Sequence, residues 1–568
     1  MKKFLPQLAL IAGIISILLS SCNSPFGKSG ELSEKQVLKA SCYTKVWGFL
    51  KYYHPGLANG QIDWDSVYVD LLPKVLLSND KEFELYMDNL IDLPGEIQQC
   101  ESCKSIYDHP KEWTRNLNLE WITEHPLLSN NQIEDLKNIL DNRHQGKGFY
   151  VEYQWGDGSQ SGPVKFINEN SYSDSLVIAD YRYRILALAR YWNSAEYFFA
   201  YKYLLSKDWN TVLMDYIPIL FNESSLLNYH LNIYRLAREI EDSHSGGTYS
   251  RYLFENYWDK KVPFDLRTIG GKTIVSEITS KTLNSSNDIR VGDEIVLIDS
   301  IPVGDAIMSL RPYCLSSNKP TTNSATDNHL LIGHSDKLTL SILRSGNSKE
   351  VKVDRFPIKT FWTLETEKDP IATIYDNFVF IKLGMVESKA QIDSIMELAK
   401  EKPYIVFDLR DYPMFNAYDL EAHFVSESRH GFRAYEPSLD DIGVFKPSLL
   451  ESQQLEVRDL YQGNVIVLVN EYTQSYAESI AMFFQTLPQS IIVGSQTAGA
   501  NGNTVRVPLP GSIRASFSNI IIEYPDGNQF QKNGIRINLP VELSIEDIIS
   551  KRDPYIDLAR KIVNNHSL

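Results

Sequence analysis

A chain of 568 residues exceeds what one hydrophobic core can serve, and three or four domains are expected. At 43% hydrophobic and 23% charged residues it is too apolar to be a disordered chain. A net charge of −16 argues against non-specific binding to nucleic acid, which needs a basic surface.

The chain begins with Met1-Lys2-Lys3, an apolar segment over 8–19 and then Leu19-Ser20-Ser21-Cys22. A basic start before an apolar stretch too short to cross a membrane is the build of a secretory signal. The Leu-Ser-Ser-Cys ending resembles a bacterial lipobox. That resemblance implies cleavage before Cys22, a lipid on the Cys22 thiol, and a protein anchored in the bacterial cell envelope, facing the periplasm or the exterior. An uncleaved anchor or an ordinary secretory signal is the alternative. On this reading residues 1–21 are the signal, and the polar 22–32 are a flexible tether. Cys100-Glu101-Ser102-Cys103 is either a local disulfide or half of a metal site. No second C-x-x-C or paired His completes a zinc set, and no cofactor is expected.

Residues 33–257 read as a helical region with an internal repeat. Trp47, Tyr52, Asp63, Trp64 and Pro73 match Trp192, Tyr197, Asp208, Trp209 and Pro218, each offset by 145 residues. Asp before Trp is a good helix N-cap in both copies. Trp and Tyr at helical spacing are read as duplicated core packing. Between the copies, the alternating run 149–155 predicts a small hairpin. The second copy ends in a helix that closes at Asp242, followed at once by Ser243-His244-Ser245-Gly246-Gly247.

Residues 258–357 form the next unit. Arg290-Val291-Gly292-Asp293-Glu294-Ile295, continued to Asp299, and the late strand 338–344 with its Ser345-Gly346-Asn347 turn resemble a PDZ domain. Such domains bind an extended peptide at a sheet edge. A spacer with a blocked groove is the alternative. Thr268-Ile269-Gly270-Gly271 is a distant candidate for the carboxylate-binding loop.

From residue 365 to 568 strands and helices alternate, which implies an α/β domain with a largely parallel sheet and its chemistry at the strand C-termini. Tyr404-Ile405-Val406-Phe407 reads as a buried strand ending in Asp408-Leu409-Arg410. Val465-Ile466-Val467-Leu468-Val469 is another, unalternating and β-branched, followed by Asn470-Glu471. Thr473-Gln474-Ser475-Tyr476-Ala477-Glu478 then leads into a helix. Ser475 thus stands beside a helix N-terminus, where unpaired N–H groups and the helix dipole favour developing negative charge. A plain N-cap is the alternative.

T-x-S-x-A-E, then the buried strand at 491–494, then Gly494, Thr497-Ala498-Gly499-Ala500-Asn501-Gly502 and Asn533-Gly534-Ile535, resembles the C-terminal processing and tricorn-type serine peptidases. The likeness covers most of the chain after about residue 38. It implies a helical N-terminal region, a PDZ-like β domain and a C-terminal α/β peptidase domain of the ClpP/crotonase kind. It also implies Ser475 as nucleophile, with an oxyanion held by the Tyr476 N–H and a second N–H in Asp411-Tyr412, since Pro413 has none. Processing-type relatives take the base from a Lys, and Ala500 stands in its place. Tricorn-type relatives use a His after a helix, just before the PDZ domain. Ser243-His244 holds that place, with His244 the base and Ser243 a supporting hydrogen bond. Where those relatives carry an acid, Gln531 stands; Glu523 is the possible substitute. Three readings follow: a serine peptidase acting on peptides or unfolded proteins outside the cytoplasm, a weak or inactive relative that binds peptides, or another serine hydrolase. The third is disfavoured because no G-x-S-x-G surrounds Ser475.

Overall fold

The computed structural model describes residues 30–156, 162–364, 370–448, 450, 452–456 and 458–565. The lipobox and Cys22 lie outside them. The N-terminal region is built around α1 (Glu34–Tyr53), α2 (Trp64–Leu77), α3 (Tyr181–Phe198) and α4 (Trp209–Asn222), with α5 (Leu226–Arg238) following. The repeat is a structural duplication. Asp63 caps α2 by accepting from the Ser66 N–H at 3.1 Å, and Asp208 caps α4 from the Thr211 N–H at 2.9 Å. A buried indole N–H needs an acceptor. Trp47 donates to the Trp64 carbonyl at 2.8 Å and Trp64 returns the bond to Trp47 at 3.0 Å. Trp192 and Trp209 make the same exchange, at 2.7 and 3.1 Å.

The two copies meet where α1 and α3 cross, and the repeat breaks its own symmetry there. Gly48 in one copy corresponds to Asn193 in the other. A Cβ at Gly48 would lie 1.9 Å from the Asn193 side chain, whose Nδ2 donates to the Thr44 and Ala189 carbonyls. Gly48→Ala must push that amide off two buried acceptors. A loss of about 2–3 kcal/mol in chemical denaturation is expected; an unchanged midpoint would contradict the crossing.

The short strands Val151–Tyr153 and Val164–Phe166 pair antiparallel, as the alternation predicts. Cys100 and Cys103 form a disulfide, and Cys42 and Cys314 are free and buried.

The PDZ-like unit has β1 (Asp265–Ile269), β2 (Lys272–Glu277), β3 (Glu294–Ile298), β4 (Lys337–Arg344) and β5 (Asn347–Asp354), in the order β5-β4-β3-β2-β1. Gly270 and Gly271, at φ +58° and +81°, form the two-residue turn between β1 and β2. The distant candidate Thr268–Gly271 is therefore the end of β1 and a tight hairpin turn. Helix α6 (Lys319–His329) packs along the edge strand β1. Its Asp327 accepts from the Thr268 N–H at 2.8 Å and from the Thr268 hydroxyl at 2.5 Å. An edge N–H that an added peptide strand would use is therefore already taken.

The C-terminal sheet runs β6 (Ala372–Ile374), β7 (Phe378–Lys382), β8 (Tyr404–Asp408), β9 (Asn464–Val469), β10 (Ser490–Gly494) and the short strand Leu539–Pro540. Every pair after β6–β7 is parallel. Val465 to Val469 are fully buried, which explains their lack of alternation. Helix α7 (Tyr476–Phe484) follows β9. Beyond the sheet, β11 (Thr504–Leu509) and β12 (Ile513–Ser518) form a hairpin. Tyr249–Ser250 adds to β12 as a third strand, pairing Ser250 with Ile513 and Tyr249 with Arg514. Val505, Val507, Ile513 and Phe517 belong to the same core as the helices of the N-terminal region. That shared core carries the Ser243–Gly247 turn across to the C-terminal α/β domain.

Candidate active site

Ser475 opens α7 with φ 56° and ψ −118°. A non-glycine residue holds such a backbone only where its surroundings enforce it. Here the Ser475 N–H donates to the Ala500 carbonyl at 2.9 Å and to Glu478 at 3.1 Å. Glu478 is fully buried and also accepts from the Thr497 hydroxyl at 2.5 Å and the N–H groups of Gly499 and Ala500 at 2.8 and 3.2 Å. Thr497 Oγ1 takes a bond from the Ile535 N–H, so its own proton is free for Glu478. Burial pushes the Glu478 carboxyl up to about 8, against four donors that favour its charged form. Gly499 has φ +59°, and a Cβ there would lie 2.7 Å from the Lys532 backbone. Ala500, in the place of the Lys, contributes its carbonyl. Sequence reasoning left out Glu478, although its position three residues after Ser475 is the spacing of a capping box.

Tyr476 is the first residue of α7, and Asp411 lies just past the end of β8. The two strand ends are tied by the Thr473 hydroxyl, which donates to the Leu409 carbonyl at 2.9 Å. Asp411 sits against Gly384, where a Cβ would come within 2.5 Å of its own.

His244 lies in the buried 3-10 turn Ser243–Gly247. Its Nδ1 is 2.7 Å from the Ser518 hydroxyl, at the end of β12. Asp242, fully buried, accepts from the His244 N–H at 3.2 Å, the Ser518 N–H at 2.7 Å and Gln531 Nε2 at 3.2 Å. Burial pushes the His244 pKa below its ordinary value, and the Asp242 charge opposes that shift.

Two expected roles change, and the supporting role of Ser243 gains a partner. Gln531 bonds Asp242 rather than the imidazole, because Ser518 already fills the Nδ1 side. Glu523 is not the partner of His244. It stands opposite Arg433 in an antiparallel pair and is bound by Arg115 at 2.5 Å, with Arg433 at 3.6 Å. Ser243 supports the turn through Ser317: its hydroxyl accepts from the Ser317 N–H at 2.9 Å, and its N–H donates to the Ser317 hydroxyl at 2.6 Å. Ser518 carried no signal in the sequence, since only the pairing of Tyr249–Ser250 with β12 places it.

His244 and Gln474, the residue before Ser475, line one cavity of about 630 Å3. Tyr234, Phe254, Trp258, Tyr313 and Leu315 form its apolar wall. Among the described residues no hydrogen bond joins the Ser475 hydroxyl to the His244 ring. Residues 382–541 match the model of peptidase family S41, and residues 259–356 match a PDZ domain. The C-terminal α/β domain is thus a peptidase family S41 domain. It is therefore a serine peptidase, a hydrolase of peptide bonds. The structure of mature CPAF complexed with lactacystin aligns with 69% of this chain and 100% of its own at a TM-score of 0.55 and 15% identity, a likeness that shows the shared fold. The photosystem II D1 C-terminal processing protease aligns over 63% of this chain and 93% of its own, with 14% identity and a TM-score of 0.38. No curated protein matches the chain.

Proposed function

We propose that this S41 peptidase cleaves peptides or unfolded proteins outside the cytoplasm, with Ser475 as nucleophile, His244 as general base and a lipid anchor at Cys22. The observation that carries the reading is the cavity shared by His244 and Gln474, beside the strained Ser475. To accept the Ser475 proton on Nε2, His244 must carry its own on Nδ1, donated to Ser518. Asp242, behind Ser518 and the His244 amide, favours the imidazolium that forms. The Tyr476 N–H at the helix start, with a second N–H in the Asp411 turn, receives the oxyanion. The aromatic wall favours a substrate with a large apolar side chain near the scissile bond. The test is labelling by a fluorophosphonate, lost in Ser475→Ala, together with cleavage of a peptide panel that varies the side chains around the cut. A preference for charged residues there would remove the apolar-pocket reading.

Because burial holds His244 below the ordinary histidine value of about 6.5, the base stays neutral into mildly acid solution. The acid limb of kcat/KM is expected to have its midpoint below that value. A midpoint at or above it would contradict the assignment. For location, Cys22→Ser is expected to move the protein from the membrane pellet to the soluble fraction; retention of an uncleaved, membrane-bound form would overturn the anchor.

A second reading is favoured by the neutral Ser518 partner of His244 and by the missing Ser475–His244 bond. In it the chain is a catalytically weak member that binds peptides. Wild-type protein that binds peptide but never reacts with a fluorophosphonate would select it.

A further inference from the structure

His244 and Ser475 are about 230 residues apart in sequence and sit on different units, so something must register the base against the nucleophile. We infer that Asn318, at the N-terminus of α6 in the PDZ domain, is the positioning residue that does so; this rests on the Ser475–His244 reading above.

Asn318 is the N-cap of α6, and its Oδ1 accepts from the Thr321 N–H at 3.1 Å. That is the ordinary work of an N-cap. Its amide nitrogen does something unrelated to the helix. Nδ2 lies 2.9 Å from the Thr497 carbonyl, 3.0 Å from Ala498 and 3.1 Å from Lys532. Two N–H protons thus serve three carbonyls on two separate loops. Both loops bear on the site. The Thr497–Ala500 loop holds the Ser475 turn through the Ala500 carbonyl, through Glu478, and through the Ala498 N–H, which donates to the Thr473 carbonyl at 3.0 Å. The Lys532 loop follows Gln531, which bonds Asp242 under His244.

The residue before Asn318 completes the strut. Ser317 and Ser243 exchange two buried hydrogen bonds, and Ser243 is the neighbour of His244. Ser317-Asn318 therefore grips the base-bearing turn with one residue and the nucleophile-supporting loop with the next. A dipeptide spans only a few ångströms, so a shift of the α6 N-terminus moves the two halves of the site relative to each other. A misplacement of about 1 Å costs on the order of 10²-fold in rate.

The two functions of the Asn318 side chain can be separated. Ser and Asp both cap helices well but lack the amide donor. Asn318→Ser and Asn318→Asp are each expected to slow fluorophosphonate labelling and kcat by roughly 30- to 100-fold, with KM within about threefold; Asn318→Ser, which keeps the cap and adds no charge, should do so with little change in melting temperature. Asp places a charge against three carbonyls and should be the worse of the two. The acid limb of the labelling rate, which reports His244 in the wild type, should flatten in both variants. Ser317→Ala should act in the same direction.

If the wild type reacts and both variants react equally fast with the same pH profile, this inference is wrong while the Ser475 reading stands. Variants that lose rate only in step with several degrees of melting temperature show a structural role and also overturn it. If the wild type never reacts, the Ser475 reading falls and takes this one with it.

Discussion

Ser475→Ala and His244→Ala are each expected to lower kcat/KM for peptide cleavage by about 10⁴-fold or more, and the double variant by scarcely more than either. On the proposed reading the two groups act as one unit. Without its base, the Ser475 hydroxyl is a weak nucleophile at neutral pH; without the hydroxyl, His244 has no proton to take. What survives is whatever the Tyr476 end of α7 and substrate binding contribute. Ser518→Ala leaves both reacting groups in place and only frees the imidazole to turn, so a loss of up to roughly 10²-fold is expected. Gln531→Ala, one bond further out through Asp242, should cost less again. Losses that multiply in the double variant, or a His244→Ala protein that cleaves at the wild-type rate, would show that the two groups do not form a catalytic pair. Steady-state kinetics on one apolar peptide, with titration of active sites, measure all of these together.

The ordering of those effects reflects what sequence can carry. The strand–turn–helix that carries Ser475 was legible because three local signals coincide: an unalternating buried strand, a polar turn and a helix without Gly or Pro. The duplication was legible because indole N–H groups need fixed acceptors, which holds Trp47 and Trp64, and Trp192 and Trp209, at a common spacing. Ser518 was not legible. Nothing within ten residues of it marks a partner for an imidazole, and its role exists only because Tyr249–Ser250 adds to β12. Glu523 looked suitable as a charged residue near the motif, but cross-strand register delivered it to Arg433 and Arg115. The Gly270-Gly271 pair has a local use of its own: the two glycines meet the positive φ angles of a hairpin turn. Local chemistry was readable, and long-range pairing was not.

The buried ion cluster of the N-terminal region was equally invisible in the sequence, and Arg190→Met is expected to destabilise the protein by about 3–5 kcal/mol. Arg190 is fully buried in α3. It pairs with Asp65, lies 3.0 Å from Glu169, and donates to the Asn170 carbonyl at 2.7 Å. Lys51 bonds Glu169 at 2.6 Å, and the Tyr172 hydroxyl reaches Asp65 at 3.1 Å. Two cations therefore balance two carboxylates in a site closed to water. Met fills most of the volume but removes one charge, leaving an uncompensated carboxylate that costs more than the lost packing. Adding Asp65→Asn should recover a large part of the loss, because it removes the orphaned charge; two independent sites would instead add. Chemical denaturation followed by tryptophan emission reads this region, since Trp47, Trp64, Trp192 and Trp209 all lie in its core. A loss below about 1 kcal/mol would mean that the cluster is hydrated and that Arg190 does not hold the two copies of the repeat together.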